Sequence, residues 1–518
     1  MIHRFRLVRK SLVSLLLMAA TARFVSAQTH ATEKPPNVIL IVADDLGYSD
    51  LASYGNKFIH TPHIDGLGEN GIRFTQAYIT APICGPSREG LLTGRYQQRY
   101  GDEFMPYDHL DPALLKYLRS HYIRMRKTMP GMKNLHPHLF VDREHFNNGL
   151  PATETTIAEL LKQKGYTTGL VGKWNLGVGE GYFPDQRGYD YSYYFEGALT
   201  RYVDDPVDTV LYINQHLPWA FSEPAAWSRR YGSTAIREGR REVKDTGYLT
   251  FSLAAKAIEF IEKQKSHPFF LTLTFNAPHD PFQVPKAYFD RITGVKDTVQ
   301  RVYFGMIEAM DDAVGQVLNK LRETGEDKNT FVIFLSDNGG ATYTKATTNA
   351  PLRGGKCTHF DGGLQVPFFI KYPDAIRDSK VYAEPVSSLD IFATIAAVTG
   401  AALPAGRVYD GVDLVPYVTG IKAGYPHDVF YWRNGYSRAI RKENWKLYSD
   451  EKSGRIFLFD LAKDREEMHD LSSLFPAKVK ELKEQLKAWE NSEFIKPRWR
   501  SGADVTIDVD GELFWFPT

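Results

Sequence analysis

A cysteine in an unusual setting is the first candidate for chemistry in this chain. It begins the segment Cys84-Gly85-Pro86-Ser87-Arg88, which Leu91-Leu92-Thr93-Gly94-Arg95 follows. Pro86 suits the first turn of a helix, where its missing N–H leaves no hydrogen bond unmade, so we predict a helix that begins at about Cys84. A helix start offers free N–H groups and the positive end of the helix dipole. The cysteine is therefore placed where an oxyanion could bind.

Two apolar runs each end in a pair of oxygen-bearing side chains. The pairs are Asp44-Asp45, after Asn37–Ala43, and Asp337-Asn338, after Phe331–Leu335. Ligands gather at the carboxyl ends of strands in a mainly parallel sheet, so the two pairs can meet. Three carboxylates and one amide make an all-oxygen shell that suits calcium or magnesium and not zinc. Turn and helix-capping chemistry is the alternative for either pair alone.

Three further motifs carry lysine or histidine next to strand-like or glycine-rich segments. They are Gly172-Lys173-Trp174-Asn175-Leu176-Gly177, Ala277-Pro278-His279 and Leu352-Arg353-Gly354-Gly355-Lys356. The glycines suit tight loops close to a ligand. Cations and an imidazole around one anion would concentrate hydrogen-bond donors where charge develops in a reaction. Taken alone, His279 could equally be structural.

Together these motifs resemble those of the type I sulfatases, a family of the alkaline phosphatase superfamily. The cysteine segment matches C-x-P-S-R with a trailing L-T-G-R, and the A-P-H and L-R-G-G-K motifs are present as well. The resemblance extends from about Asn37 into the C-terminal region, where Phe457–Leu461 is similar to a family stretch. The fold it implies is α/β, a large mixed and mainly parallel sheet sandwiched by helices, with a smaller C-terminal antiparallel sheet and a packed helix.

The resemblance also implies a role for each site residue. A formylglycine-generating (or equivalent) maturation enzyme would oxidise Cys84 to formylglycine, whose hydrate is the nucleophile. One calcium ion would be bound by Asp44, Asp45, Asp337 and Asn338, together with the modified Cys84. Arg88 would stabilise the hydrate, Lys173 and Lys356 would hold the sulfate, and His279 would protonate the leaving alcohol. The implied function is hydrolysis of a sulfuric ester.

Asn175 departs from the family pattern, which has a histidine in G-K-W-H-L-G. That histidine contacts the formylglycine hydroxyl and is thought to help expel sulfate. Asparagine can still hydrogen-bond, but it cannot take a proton near neutral pH. A catalytically silent binder of sulfated glycans is therefore an alternative.

Two further alternatives concern the chemistry at Cys84. A phosphate or phosphonate ester hydrolase of the same superfamily is the nearest, although the single-metal ligand set argues against it. A thiolate nucleophile would need a general base, for which His279 is the only candidate among the motifs. That interpretation does not explain Pro86, Arg88 and the acidic pairs together.

The order of predicted elements supports the α/β class. Apolar strand-like runs alternate with helical periodicity up to about residue 400, and Thr156 with Glu159 forms a predicted capping box. Short aromatic strands and one helix follow. We predict a signal peptide over 1–27, a catalytic domain over 28–400 and a smaller α+β subdomain over 401–518.

The ends and the charge of the chain limit its location and partners. The chain has 518 residues, with 63 Lys and Arg against 62 Asp and Glu, a formal charge of +1, so no global charge attracts nucleic acid. Basic residues precede an apolar run from Leu12 to Ala20, and Val25-Ser26-Ala27 resembles a cleavage site. That run is shorter than the roughly 20 residues of a membrane span. We expect export to the periplasm or medium, without a membrane span.

The substrate is less defined by the sequence than the chemistry. A basic and aromatic stretch from about Asp102 to Asn148 includes His109, and it either binds a sulfated sugar chain or is a solvated surface loop. Arg201, Arg353 and His359 are further candidates for substrate binding. We expect a sulfated carbohydrate, such as carrageenan or a glycosaminoglycan.

Overall fold

The computed structural model describes residues 34–106, 148–213, 229–264, 267–492 and 494–518. The chain from Pro36 to Thr518 forms one compact unit, and only Lys34 and Pro35 of the other unit are described. The predicted signal peptide, His109 and most of the predicted substrate loop lie outside the described residues.

A ten-stranded mixed sheet forms the centre of this unit. In spatial order its strands are β13 (Lys380–Tyr382), β2 (Ile72–Phe74), β12 (Phe368–Lys371), β11 (Thr330–Ser336), β1 (Asn37–Asp44), β9 (Phe269–Pro278), β4 (Thr167–Lys173), β5 (Tyr191–Phe195), β7 (Arg237–Glu238) and β8 (Arg241–Glu242). The five central strands β11, β1, β9, β4 and β5 are parallel. They therefore bring their carboxyl ends to one edge.

Helices cover both faces of this sheet. Along β1, Ile39 and Ile41 pack into one core cluster, and Val38 and Leu40 pack into another on the opposite face. This explains why the strand is apolar without alternation. In chain order, the α-helices of all the described residues, including those outside these two layers, are α1 (Pro62–Glu69), α2 (Cys84–Thr93), α3 (Ile157–Gln163), α4 (Leu249–Lys263), α5 (Lys286–Arg291), α6 (Thr298–Glu323), α7 (Asp361–Leu364), α8 (Asp390–Thr399), α9 (Val415–Val418) and α10 (Pro476–Glu490).

The predicted capping box at the start of α3 is confirmed. The Glu159 backbone N–H donates to Thr156 Oγ1, and the Thr156 backbone N–H donates to Glu159 Oε2. Two short strand pairs complete this part of the chain, β6 (Val210–Ile213) with β10 (Phe282–Pro285) and β3 (Ala77–Tyr78) with β14 (Val386–Ser387).

The C-terminal region contains the predicted antiparallel sheet. Its strands, paired in sequence order, are β15 (Val429–Asn434), β16 (Ser437–Lys442), β17 (Trp445–Asp450) and β18 (Arg455–Asp460). Leu482 and Leu486 of α10 pack against this sheet. A hairpin of β19 (Asp504–Val509) and β20 (Glu512–Pro517) ends the chain. The fold class is confirmed, and the domain boundary near residue 400 stays a prediction.

Candidate active site

The carboxyl edge of the central sheet gathers most of the predicted site residues. Four of them lie at the last residue of a strand or shortly after it, namely Asp44 in β1, Lys173 in β4, His279 after β9 and Asp337 after β11. Cys84 is the first residue of helix α2. The backbone of β4 approaches β9 so closely here that a Cβ at Gly172 would lie 1.8 Å from the Thr274 carbonyl oxygen. Gly172 is therefore required by close packing.

Asp44 contacts Cys84 and two cations. The Cys84 thiol donates to Asp44 Oδ1 across 3.5 Å, and Lys173 Nζ lies 2.7 Å from Asp44 Oδ2. Arg88 lies 3.7 Å from the same carboxylate and donates from Nε to Asp337 Oδ2 at 2.8 Å. These contacts bring the first and second oxygen-rich pairs together around Cys84, as the sequence predicts.

Lys356 contacts the other carboxylate of the first pair and the predicted histidine. Its Nζ lies 2.9 Å from Asp45 Oδ2 and 3.0 Å from His279 Nε2. His279 Nδ1 lies 2.7 Å from the Asp280 carbonyl oxygen. Because a carbonyl only accepts, Nδ1 carries the proton, and Nε2 faces the Lys356 ammonium with its lone pair. The proton on that shared contact is well placed for transfer to a leaving oxygen.

Opposite charges balance within this buried cluster. Three carboxylates and three cations are all almost fully buried, Asp44, Asp45, Asp337, Arg88, Lys173 and Lys356. Burial alone would raise the pKa of Asp44, but the neighbouring positive charges, Lys173 above all, lower it below its ordinary value. Lys356 has the same effect on the pKa of Asp45. Both carboxylates are therefore ionised at neutral pH.

The environment of Cys84 disfavours a thiolate. Its side chain is buried, and burial raises the pKa of the thiol to about 12, despite the nearby lysines. An unmodified Cys84 is therefore protonated at neutral pH. Cys84 and Cys357 are both free and buried.

The residues at this edge fit a metal ion. Asp44, Asp45, Cys84 and His279 each offer one ligand atom, and these atoms lie within 4.8 Å of one another. Asn338 donates from Nδ2 to Asp45 Oδ1 at 2.6 Å, whereas its Oδ1 is buried without a hydrogen-bond partner among the described residues. An unpartnered buried acceptor beside ionised carboxylates is what a hard cation requires. Asp337 is also adjacent, and here it contacts Arg88.

Asn175 lies at the same edge in a left-handed backbone conformation. Its φ is 57°, its backbone N–H donates to the Glu196 carbonyl, and its side chain is buried. Its Oδ1 has no hydrogen-bond partner within the described ranges. The amide oxygen is therefore available to a ligand.

His359, another predicted substrate residue, lies beside the C-terminal sheet. It is fully buried, and its ring nitrogens contact Ser437 Oγ at 2.7 Å and Asn434 Oδ1 at 3.1 Å in that sheet. Burial lowers its pKa to about 3, so the ring is neutral. This placement gives no support to a cationic role, and the substrate role of His359 stays a prediction.

The other predicted substrate residues are placed less decisively. Arg353 contacts Asp510 at 2.9 Å and the Glu467 carbonyl at 3.1 Å, and Arg201 donates to the Asp204 carbonyl at 2.7 Å. Their roles toward a substrate stay predictions, as does that of His109.

Several supporting residues were not predicted from the sequence. Ser87 donates to the Asp337 carbonyl at 2.5 Å, Tyr303 donates to the Asp45 carbonyl at 3.0 Å, and Thr274 donates to the Lys173 carbonyl at 2.6 Å. Only Ser87 carried a signal, because it belongs to the cysteine segment. The other two depend on contacts between elements far apart in the chain.

Fold and site together define a class of protein. A large mixed sheet between two helical layers, with a nucleophile position at a helix start and balanced buried charges at the carboxyl edge, is the arrangement of the alkaline phosphatase-like ester hydrolases. Residues 36–401 match the sulfatase family model. The chain belongs to the sulfatase family.

Known sulfatases are similar over most of their length. Steryl-sulfatase of Mus musculus is 30% identical over 501 residues, which cover 84% of this chain and 74% of the mouse protein. N-acetylgalactosamine-6-sulfatase of Rattus norvegicus is 29% identical over 422 residues, covering 80% and 71%. The solved structure of Ps i-CgsB in complex with k-i-k-neocarrahexaose is 31% identical, with a TM-score of 0.74 over 90% of this chain and 95% of that chain. The chain is therefore a sulfatase enzyme with carbohydrate sulfatases among its structural neighbours.

Proposed function

We propose that this enzyme removes sulfate from a sulfated carbohydrate, with formylglycine derived from Cys84 as its nucleophile and one calcium ion as its cofactor. The observation that carries the proposal is the placement of Cys84 at a helix start, 3.5 Å from Asp44 and among three buried cations. A solved relative bound to neocarrahexaose and a relative named for N-acetylgalactosamine sulfate support a sugar substrate. The steryl-sulfatase relatives favour a sterol instead, so the substrate must be tested.

The side chains of this site fit a three-step reaction. A hydroxyl of the hydrated aldehyde at position 84 passes its proton to Asp44 Oδ1, which accepts from the Cys84 thiol in this structure, and attacks sulfur while Lys173 and Lys356 neutralise the sulfate oxygens. The S–O bond to the sugar breaks, and the leaving oxygen takes the proton that Lys356 Nζ and His279 Nε2 share. The second hydroxyl then gives its proton back to this pair, which breaks the bond to the sulfated oxygen, releases sulfate and restores the aldehyde, while Asp44 gives its proton to water.

Calcium would be held by Asp44, Asp45, Asp337 and Asn338, with the modified Cys84, and would add positive charge beside the sulfate. Arg88 keeps Asp337 in place and faces the nucleophile position. Asn175 can orient the hydrate by a hydrogen bond but cannot accept its proton.

Export and maturation are part of the same proposal. Residues 1–27 would direct export, and a formylglycine-generating (or equivalent) enzyme would modify Cys84. In the part of the chain that the structure describes, helices are too short or too polar to cross a membrane.

The test is release of inorganic sulfate, measured by ion chromatography, from carrageenans, glycosaminoglycans, their oligosaccharides and a steryl sulfate. The enzyme is co-expressed with a formylglycine-generating enzyme, and Cys84→Ala protein is the control. We expect release from a sulfated sugar by the converted enzyme only. Release from the steryl sulfate alone contradicts the sugar substrate. Tight sugar binding without release, despite full conversion, identifies the silent binder, and cleavage of phosphate or phosphonate esters instead identifies the other superfamily activity.

A further inference from the structure

Two polar side chains beside His279 have no role in the reaction described above. Asp280 follows the histidine and is 4% exposed, and Asn276 precedes it by three residues and is 2% exposed. Both carboxylate oxygens of Asp280 and both amide atoms of Asn276 lack a hydrogen-bond partner among the described residues. Four unpartnered polar atoms therefore lie on two residues that flank His279 in sequence.

Buried polar atoms without partners are unfavourable. Each costs on the order of 1–3 kcal/mol, and a charged group costs more, so such atoms in a native site point to a ligand. His279 does not satisfy the Asp280 carboxylate. Its Oδ1 lies 3.4 Å from His279 Nδ1, but the proton on that nitrogen points to the Asp280 carbonyl oxygen at 2.7 Å.

The backbone holds Asn276 and Asp280 beside His279. The His279 N–H donates to the Asn276 carbonyl at 3.0 Å, and Tyr202 O–H donates to the carbonyls of Asn276 and His279 at 2.7 and 2.9 Å. Along β9, Thr274 faces the Lys173 carbonyl. Asn276 comes two residues later and so points to the same face, nearer the carboxyl edge.

We propose that Asp280 and Asn276 determine the substrate class by binding hydroxyl groups of the sugar that leaves with the proton of His279. A carboxylate accepts from O–H groups, and an amide both accepts and donates. A sugar ring carries hydroxyl groups on the carbons next to the ester oxygen, whereas an aryl or steroid alcohol has none there. The pair would therefore favour a carbohydrate leaving group. The inference rests on the proposed function for the position of the sugar.

The test compares two substrates in variants of nearly unchanged side-chain size. Asp280→Asn and Asn276→Leu are assayed with the sulfated oligosaccharide that the wild type cleaves best and with p-nitrophenyl sulfate. We expect the ratio of the two kcat/KM values, oligosaccharide over aryl sulfate, to fall about 10- to 100-fold, because a hydrogen bond made only by the sugar is lost. Asp205→Asn, at an exposed position, is the matched control.

An unchanged ratio overturns the inference. It would mean that the pair contacts neither substrate. A misplaced His279 would also lower the ratio, because a sugar alcohol needs a proton to leave and p-nitrophenol hardly does, so binding affinity decides between a sugar contact and a positioning role. Affinity for the oligosaccharide is measured separately by calorimetry in Cys84→Ala protein, with and without Asp280→Asn. Weaker binding in the double variant supports the sugar contact even where the converted wild type releases no sulfate, a result that would contradict the proposed hydrolysis alone. Equal affinities contradict the sugar contact.

Discussion

At the residue scale, the site depends on charges that are buried in pairs. Lys173 pairs with Asp44 and Lys356 with Asp45, and all four side chains are buried. Removal of one partner leaves an unpaired buried charge, which costs about 3–5 kcal/mol. Variants of these lysines therefore combine a loss of chemistry with a loss of stability. Asn175 offers a cleaner test, since its Oδ1 has no partner to lose among the described residues.

We expect Asn175→Gly to lower kcat about tenfold, because one hydrogen bond to the proposed nucleophile is lost. The free energy of unfolding should change by less than about 1 kcal/mol. Glycine tolerates the φ of 57° at this position. Steady-state sulfate release and urea denaturation measure the two effects. Full activity in a folded variant would show that Asn175 does not contact the reacting group.

The sequence motifs indicated which residues the structure gathers at the carboxyl edge, but not the residues that support them. Cys84, Lys173, His279 and Lys356 lie in local patterns, and the structure brings them together. The ring of His359 contacts Ser437 and Asn434 of the C-terminal sheet, partners that the local sequence around His359 does not indicate. The unpartnered atoms of Asp280 carry no sequence signal, since they depend on what surrounds the side chain.

At the element scale, the C-terminal sheet holds the loop that carries Lys356. Lys446 of β17 lies 2.5 Å from Asp361 Oδ1 and 2.7 Å from Glu467 Oε1, and the Asp361 backbone N–H donates to Glu467 Oε2. Just after Asp361, the Gly363 carbonyl accepts the N–H of Gly339, next to Asn338. A Cβ at Gly339 would lie 1.8 Å from the Gly362 oxygen. The network therefore supports the loop that carries Asp337 and Asn338.

We expect Lys446→Met to lower the free energy of unfolding by about 3–5 kcal/mol, because two buried carboxylates lose their shared cation. Burial already raises the pKa of Glu467 to about 7, with Lys446 opposing the rise. The double variant Lys446→Met, Glu467→Gln removes one charge of each sign and should recover at least half of the loss. Lys463→Met, at an exposed position, is the control. A loss below about 1 kcal/mol in the single variant would contradict this account.

Asp311 of α6 joins two helices and should make stability depend on pH. Its carboxylate accepts the backbone N–H groups of His63 and Ile64 at the start of α1, and burial raises its pKa from 3.8 to about 7. The folded state therefore binds a proton more tightly than the unfolded chain, so this group lowers stability as pH rises from about 4 to 7.

We expect Asp311→Asn, which keeps an acceptor, to be more favourable for folding at pH 7 than at pH 4, relative to wild type. From the interval between the folded and unfolded pKa values of Asp311, the effect of the substitution on the free energy of unfolding should differ between pH 4 and pH 7 by at most roughly 4 kcal/mol. Urea denaturation at both values measures the difference. A variant whose effect is equal at pH 4 and pH 7 would show that Asp311 is ionised throughout.

The sequence predicted elements where hydrophobicity was continuous or periodic. The buried strands β1 and β11 were predicted from their apolar runs. Strand β16 was not predicted, because Arg438, Arg441 and Lys442 interrupt its apolar residues, and the hairpin of β19 and β20 was not predicted either. These strands are stabilised by pairing with neighbouring strands in the folded protein, which the local pattern of hydrophobic residues does not indicate.

At the scale of the whole molecule, the C-terminal hairpin packs against the residue that precedes Cys84. Ile83, directly before Cys84, packs in one cluster with Phe360, Ile507 and Phe516. The terminal hairpin therefore stabilises the position of Cys84.

Because the proposed calcium ligands come from strands distant in sequence, ion binding should stabilise the entire fold. We expect saturating calcium to raise Tm by a few degrees, since a ligand at 100 times its Kd adds about 2.7 kcal/mol to stability, and chelation to reverse the change. Asp45→Asn should abolish the calcium-dependent part of Tm, and Asp205→Asn should keep it. A Tm insensitive to calcium in wild type would contradict the cofactor assignment.

The central claim is that the modified Cys84 is the nucleophile. The most direct measurement compares preparations with different degrees of conversion, quantified by mass spectrometry of the Cys84 peptide, with their rates of sulfate release from one sulfated oligosaccharide. The account predicts a rate proportional to the formylglycine fraction that vanishes at zero conversion and in Cys84→Ala protein. A rate independent of conversion, with a fully active thiol form, would contradict it.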